Sequence, residues 1–237
     1  MSKAESPAIT VHEDVEFFRE ALRFTAAQSG FTGRLIEKDY FCTVLLAYLT
    51  ATAGADLVFK GGTCLTKVHS ELYRLSEDLD YTIPVPFGTS RSERSRRVVG
   101  VKAALSQVKQ SLPAFRVVDP LRGANNSTQY VATMAYSSMI SRKDETIKIE
   151  VSLREPLLIP MVRAQARTLL LDPVSNTPAV SPVFLSNIAK TEAFAEKFRA
   201  ALSRRDVAIR DFYDIDYAMQ KGGLQPESAE LIAQVKQ

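Results

Sequence analysis

Two aspartates one residue apart, Asp78 and Asp80, are the residues of this chain best placed to do chemistry. They sit in Arg74-Leu75-Ser76-Glu77-Asp78-Leu79-Asp80-Tyr81, which reads as the approach to a strand and the strand itself. Successive strand side chains point to opposite faces, so the two acids are expected to share one face. Carboxylates pushed together repel each other unless a cation lies between them. Hard oxygen ligands suit Mg2+. Upstream, the apolar run Leu57-Val58-Phe59 ends in Lys60-Gly61-Gly62-Thr63 and a helix-like decade follows. A glycine turn lets backbone approach a phosphate, and the helix start behind it favours an anion. Gly61, Gly62 and Thr63 are therefore candidates to hold a triphosphate through backbone amides and a hydroxyl, with Lys67 to neutralise its charge. A third acid, Glu150, lies in the cleanest alternation of the chain, Thr146 to Arg154, opposite the apolar Ile147, Ile149, Val151 and Leu153. Together these residues suggest metal-assisted chemistry on a nucleoside triphosphate.

Helices must frame these strands. Thr10 and Glu13 have capping-box spacing, and Val11, Val15, Phe18 and Leu22 recur at helical intervals behind them. A second helix is expected from near Arg34, and the Glu37-Lys38-Asp39 cluster in its first turn reads as solvated. Pro84-Val85-Pro86 ends the Asp78–Asp80 strand. Ser90 to Ser111 is helical in pattern and opens with Arg91, Arg94, Arg96 and Arg97 against the single acid Glu93, which suits either a solvated face or a nucleic-acid backbone. Phe115–Val118 and Thr128–Tyr136 read as strands around a turn at residues 122–126. Asp172 to Pro182 has the composition of a linker. Beyond it, a helix is expected from Ser186 to Arg204, with Ile188, Ala195, Phe198 and Leu202 inward and Lys190, Lys197 and Arg204 as a basic stripe. Another is expected from about Val207 to Gln220, with Ala208, Phe212, Ile215 and Met219 inward and Asp211 and Asp214 sharing a face.

The chain has 237 residues, 46% apolar and 24% charged, which fits an ordinary globular core rather than a disordered chain. A net charge of only +3 permits a nucleic-acid partner without arguing for one. No apolar run reaches the roughly 20 residues of a membrane span, and MSKAESPAIT has no apolar signal core. Two cysteines, Cys42 and Cys64, read as buried free thiols. The expectation is a cytoplasmic protein with no membrane association, and a monomer. Residues 1–55 are expected to form a helical segment packed on the core, 56–172 the core itself, and 173–237 a C-terminal helical subdomain.

The order of strand, Gly-Gly turn, helix, Asp-x-Asp strand and later acid strand resembles the nucleotidyltransferase fold of the polymerase-beta type. Phe59 to Lys67 followed by Arg74 to Asp80 looks like the AbiEii/AbiGii toxin family, which includes the MenT toxins. That family's upstream Glu-Lys-Asp-Tyr is present as Glu37-Lys38-Asp39-Tyr40, and its late Arg-Asp-x-Tyr-Asp as Arg210 to Asp214. The resemblance implies an α+β fold, with a mixed sheet core, N-terminal helices and a C-terminal helical subdomain. It implies Mg2+-dependent transfer of a nucleoside monophosphate from an NTP to the 3' acceptor end of tRNA, which blocks translation, and an antitoxin encoded by an adjacent gene. By resemblance the catalytic residues are Ser76, Asp78, Asp80, Glu150, Lys190 and Asp211, with Asp206 and Asp214 as rivals for the late acid. Asp78, Asp80 and Glu150 would hold metal. Gly61, Gly62, Thr63, Lys67 and Lys190 would hold nucleotide, and Arg91, Arg94, Arg96, Arg97, Lys197 and Arg204 would hold RNA. Ser76 is also a possible phosphorylation point, where added charge would repel both triphosphate and metal-binding acids. Two other readings stay open: a small-molecule nucleotidyltransferase, and a homologue that binds nucleotide or RNA without turnover.

Overall fold

The computed structural model describes residues 9–206 and 208–236. Seven strands form one mixed sheet: β1 (Val58–Lys60), β2 (Leu79–Thr82), β3 (Phe115–Ala124), β4 (Gln129–Ser137), β5 (Asp144–Ser152), β6 (Val162–Ala166) and β7 (Val183–Asn187), in the order β3-β4-β5-β2-β1-β7-β6. β2 runs antiparallel to β1 and parallel to β5, and both registers pass through one residue: Asp80 lies opposite Lys60 on one side and Glu150 on the other. The alternation that singled out β5 places Ile147, Ile149 and Val151 fully inside. Each such burial is worth about 1.5–3 kcal/mol, enough to forbid a one-residue slip that would turn Glu150 inward.

Among the described residues eight helices surround the sheet: α1 (Val15–Ser29), α2 (Gly33–Thr52), α3 (Gly61–Cys64, widening into a π-type turn over Leu65–His69), α4 (Arg91–Arg97), α5 (Val99–Ser111), α6 (Lys190–Ser203), α7 (Ile209–Gln220) and α8 (Ala229–Val235). α2 touches both β5 and β7, so it lies across the sheet and forms the centre of the core. The first helix starts later than the Thr10–Glu13 spacing predicts. Thr10 makes no side-chain cap, and Asp14 instead accepts from Phe17 N at 3.0 Å. The Glu37-Lys38-Asp39 turn is buried rather than solvated, because each charge has a partner folded over it: Ser138 and Met139 N for Glu37, Glu77 for Lys38, and Lys67 for Asp39.

Four further expectations shift. β3 continues to Ala124, into the first of the residues expected to turn; Pro120 is tolerated at an irregular register because β3 is an edge strand. The helix expected from Ser186 begins at Lys190, since Val183, Leu185 and Asn187 alternate inward as β7 beside β1. Leu202 is 74% exposed rather than inward. On α7 the buried face carries Asp211, Asp214, Ile215 and Ala218, whereas Phe212 and Met219 face outward. Val207, where that helix was expected to start, and residues 1–8 lie outside the described residues. Among the described residues no helix is long and apolar enough to cross a membrane. Both cysteines are buried and free, and burial pushes the Cys42 thiol up to about 12.

Candidate active site

Gly61 follows β1 at φ 74°, a left-handed conformation that side chains with a Cβ rarely adopt. A Cβ there would also lie 2.7 Å from the Cβ of Asp80. Glycine is thus required twice, by the backbone turn and by the close approach of the Asp80 strand. Next to it, a single point over the Gly62 α-carbon lies 3.1 Å from Arg74 Nη2, 3.3 Å from Ser76 Oγ and 3.9 Å from Lys197 Nζ. A hydroxyl and two cations therefore close over the glycine turn.

The cleft that opens there, about 690 Å³ including its mouth, has a floor of Gly61, Gly62, Ser76, Asp78 and Asp80. Its opposite wall is supplied by α6 and α7 and the link between them: Glu196, Lys197, Arg204, Arg210 and Asp211. Acids of the sheet thus face cations of the C-terminal helices. Asp78 lies just before β2 and Asp80 within it. Neither has a basic partner within 4 Å among the described residues. Lys60 and Lys148, the lysines nearest Asp80 in register, are taken by Glu196 (2.5 Å) and Glu150 (2.9 Å). Burial, followed by the charges of Glu150 and Asp78, raises the Asp80 carboxyl to about 6.

The loop carrying Ser76 and Asp78 has no regular structure and is tied from three sides. Lys38 of α2 meets Glu77 at 2.7 Å, Thr63 Oγ1 donates to the Asp78 carbonyl, and Arg74 grips Asp214 of α7 through both its Nε and Nη2. Asp214 also accepts from Tyr73 OH at 2.6 Å and faces Lys197 at 2.9 Å. Burial alone would raise its carboxyl, but the bonds from Arg74 and Tyr73 and the charge of Lys197 outweigh that and hold it below the usual range. Asp211 meets Lys197 at 2.9 Å and Arg204 at 2.5 Å.

Most of the residues expected to act are gathered here: Gly61, Gly62, Ser76, Asp78, Asp80, Lys197, Arg204 and Asp211 all line the cleft. Others are elsewhere. The Lys67 ammonium is fully buried, 2.5 Å from Asp39 and 2.8 Å from Thr43 Oγ1, and does not reach the cleft. Thr63 uses its hydroxyl on the Asp78 carbonyl. Lys190 is exposed and donates to Gly222 O at 3.1 Å; the lysine at the glycine turn is Lys197, two helical turns further along α6. Asp206 is exposed, and it is Asp211 and Asp214 that hold the cations. Glu150 is beside Asp80 in register but turned to Lys148. None of the α4 arginines lines the cleft: Arg94 donates to Thr89 O and Asn126 O, and Arg96 and Arg97 pair with Glu93. Arg74, Glu196 and Arg210 are cleft residues that pattern reading passed over, although Arg74 and Arg210 stand inside the two motifs that carried the resemblance.

Among the described residues no three carboxylate, imidazole or thiolate groups are gathered tightly enough to hold a metal ion by themselves. Asp78 and Asp80 remain as two oxygen donors on one side of the cleft. That set fits Mg2+, which takes one or two carboxylates and completes its shell with water and substrate phosphates.

Residues 44–237 match the family model described as nucleotidyl transferase AbiEii toxin, type IV toxin–antitoxin system. Among solved structures, MenT4, a nucleotidyltransferase toxin from Mycobacterium tuberculosis H37Rv, superposes with a TM-score of 0.58 at 16% identity over 92% of this chain and 68% of that one. JHP933 from Helicobacter pylori gives a TM-score of 0.48 at 17% identity over 92% and 73%. No curated protein sequence matches this chain.

Proposed function

Because this chain belongs to the AbiEii nucleotidyl transferase toxin family of type IV toxin–antitoxin systems, we propose that it transfers a nucleoside monophosphate from an NTP to the 3' end of tRNA, blocking translation until a cognate antitoxin neutralises it. The observation that carries this reading is the convergence, over one glycine turn, of an unpaired Asp78–Asp80 couple with Arg74 and Lys197.

In this reading the triphosphate lies over Gly61 and Gly62, with its charge toward Arg74, Lys197 and Arg204. The acceptor 3'-hydroxyl gives up its proton to solvent at the cleft mouth as its oxygen attacks the α-phosphorus, the bond to the β-phosphate breaks, and pyrophosphate leaves toward those cations. Asp78 and Asp80 would hold Mg2+, which would supply charge neutralisation for phosphoryl transfer. Preorganised cations aimed at developing negative charge are worth several kcal/mol in a water-poor cleft. Asp211 and Asp214 fix where those cations stand. Ser76 offers its hydroxyl between Arg74 and Lys197, beside the same phosphate. Glu150 acts on Asp80 through its charge, and Lys197 takes the part that resemblance assigned to Lys190.

The test is incubation of the protein with tRNA, Mg2+ and each labelled NTP, with Asp78→Ala alongside. Label in the RNA that depends on Asp78 is the expected result; no incorporation into any RNA from any NTP sinks the reading.

A further inference from the structure

The cations of the cleft differ in what they already hold. Arg74 is gripped by Asp214, Lys197 by Asp211 and Asp214, and Arg204 by Asp211. Arg210 lines the same cleft, is exposed, and has no acidic partner within 4 Å among the described residues. It stands at the rim, at the start of α7. One turn along the same helix face is Tyr213, a residue 50% exposed. The Tyr213 ring is backed by Tyr73 at 5.8 Å, and Tyr73 stacks face to face on Tyr217 at 3.8 Å with 10° between the planes. Tyr73 OH is fixed in turn by Asp214 at 2.6 Å. An exposed ring held from behind by an ordered aromatic row is a stacking platform, and every nucleobase has a face to offer it.

A rim cation one helical turn from such a platform is the pairing by which proteins hold single-stranded nucleic acid, phosphate on charge and base on ring. From these contacts we infer that the α7 face carrying Arg210 and Tyr213 receives the unpaired 3' strand of the acceptor RNA, with Arg210 on a backbone phosphate and Tyr213 stacked on a base. The inference rests on the RNA-transferase reading above. It places the acceptor strand on α7 rather than on α4, whose Arg94, Arg96 and Arg97 are already bonded within their own neighbourhood.

The experiment uses the full chain carrying Asp78→Ala to prevent turnover, and two synthetic RNA hairpins that differ only in a short unpaired 3' tail. Binding is followed by fluorescence anisotropy over a salt series. The tailed hairpin is expected to bind more tightly than the blunt one. Tyr213→Ala should weaken the tailed hairpin by about tenfold and leave the blunt one alone, while Tyr213→Phe should restore the difference. Arg210→Gln should lower the salt slope by about one. Both side chains are exposed, so the variants should melt with their parent. A Tyr213→Ala protein that still distinguishes tail from blunt end overturns the inference, as does a loss produced by Arg96→Gln and not by Arg210→Gln. The underlying reading is tested separately on the chain with Asp78 intact: if that protein extends RNA while Tyr213 and Arg210 prove indifferent, only the α7 interface falls. If it extends no RNA, both fall.

Discussion

Two charge-rich neighbourhoods of this molecule use the same residue types to opposite ends. In the first turns of α2, Asp39 is buried against Lys67 at 2.5 Å, and its other oxygen accepts from Thr168 Oγ1 and Leu169 N at 3.1 Å each. Glu37 is likewise enclosed, and although burial raises its carboxyl, bonds from Ser138 and Met139 N oppose the rise. In the cleft, Asp78 and Asp80 have no such partners, and burial with the nearby charges of Glu150 and Asp78 raises the Asp80 carboxyl to about 6. What distinguishes the structural cluster from the candidate reactive one is whether each charge is satisfied by the protein, since an unpaired charge taken out of water needs something else to complete it.

The largest expected effect lies in the satisfied cluster. Lys67→Met leaves Asp39 buried without its cation and should cost about 3–5 kcal/mol of stability in denaturant unfolding; Lys67→Met combined with Asp39→Leu should recover most of the loss. If the single substitution were neutral, α2 would not be the closed network described here. Asp78→Ala should do the reverse, lowering nucleotide transfer by about 10²–10³-fold while the unfolding midpoint stays put, because Asp78 is exposed and unpaired.

A smaller effect separates the two lysines of α6. Lys197→Met should lower turnover by about a hundredfold, and Lys190→Met by much less, measured as initial rates at saturating NTP. Equal losses would mean that the first turn of α6 reaches the substrate after all.

The smallest effect is in the pH dependence of stability. Asp80 is held above its unfolded value, so the folded chain binds that proton more tightly than the unfolded chain does. Its contribution is present below about pH 4 and is lost as pH rises through about 6. Asp80→Asn should remove that slope, and Mg2+ should raise the melting temperature more at pH 7.5 than at pH 5.5. Asp214, held below its usual range, contributes in the other sense: its stabilisation is present above the ordinary aspartate value and is lost as pH falls through the lowered one.

The chemistry of the floor was legible because it is local. A glycine pair after a short apolar run, two acids at alternate positions and an alternating strand through Glu150 each follow from residue spacing, and the structure joins Asp80 to Glu150 by register. The far wall was harder to read. β7 hid behind a helical pattern because three alternating inward residues next to a helix start suit either period. The seven-residue stripe Lys190, Lys197, Arg204 was correct as a spacing, yet Lys190 falls at the helix start and bonds to Gly222 instead. Of the α7 residues that look inward in sequence, Ile215 is buried but Phe212 and Met219 lie outward, because Asp211 and Asp214 are drawn inward by three cations.

The sequence alone determined the types and order of the candidate reactive groups: the glycine turn, the paired aspartates, the late Arg-Asp-x-Tyr-Asp and an α+β frame to carry them. Tertiary structure decided which charges are left unsatisfied. Lys67 and Lys197 are the same residue type, and nothing in their immediate neighbours says that one meets a buried carboxylate from α2 while the other meets two from α7 beside an open cleft. Pairing over such separations depends on how helices pack across the sheet, and that information is spread over the whole core rather than carried by any motif.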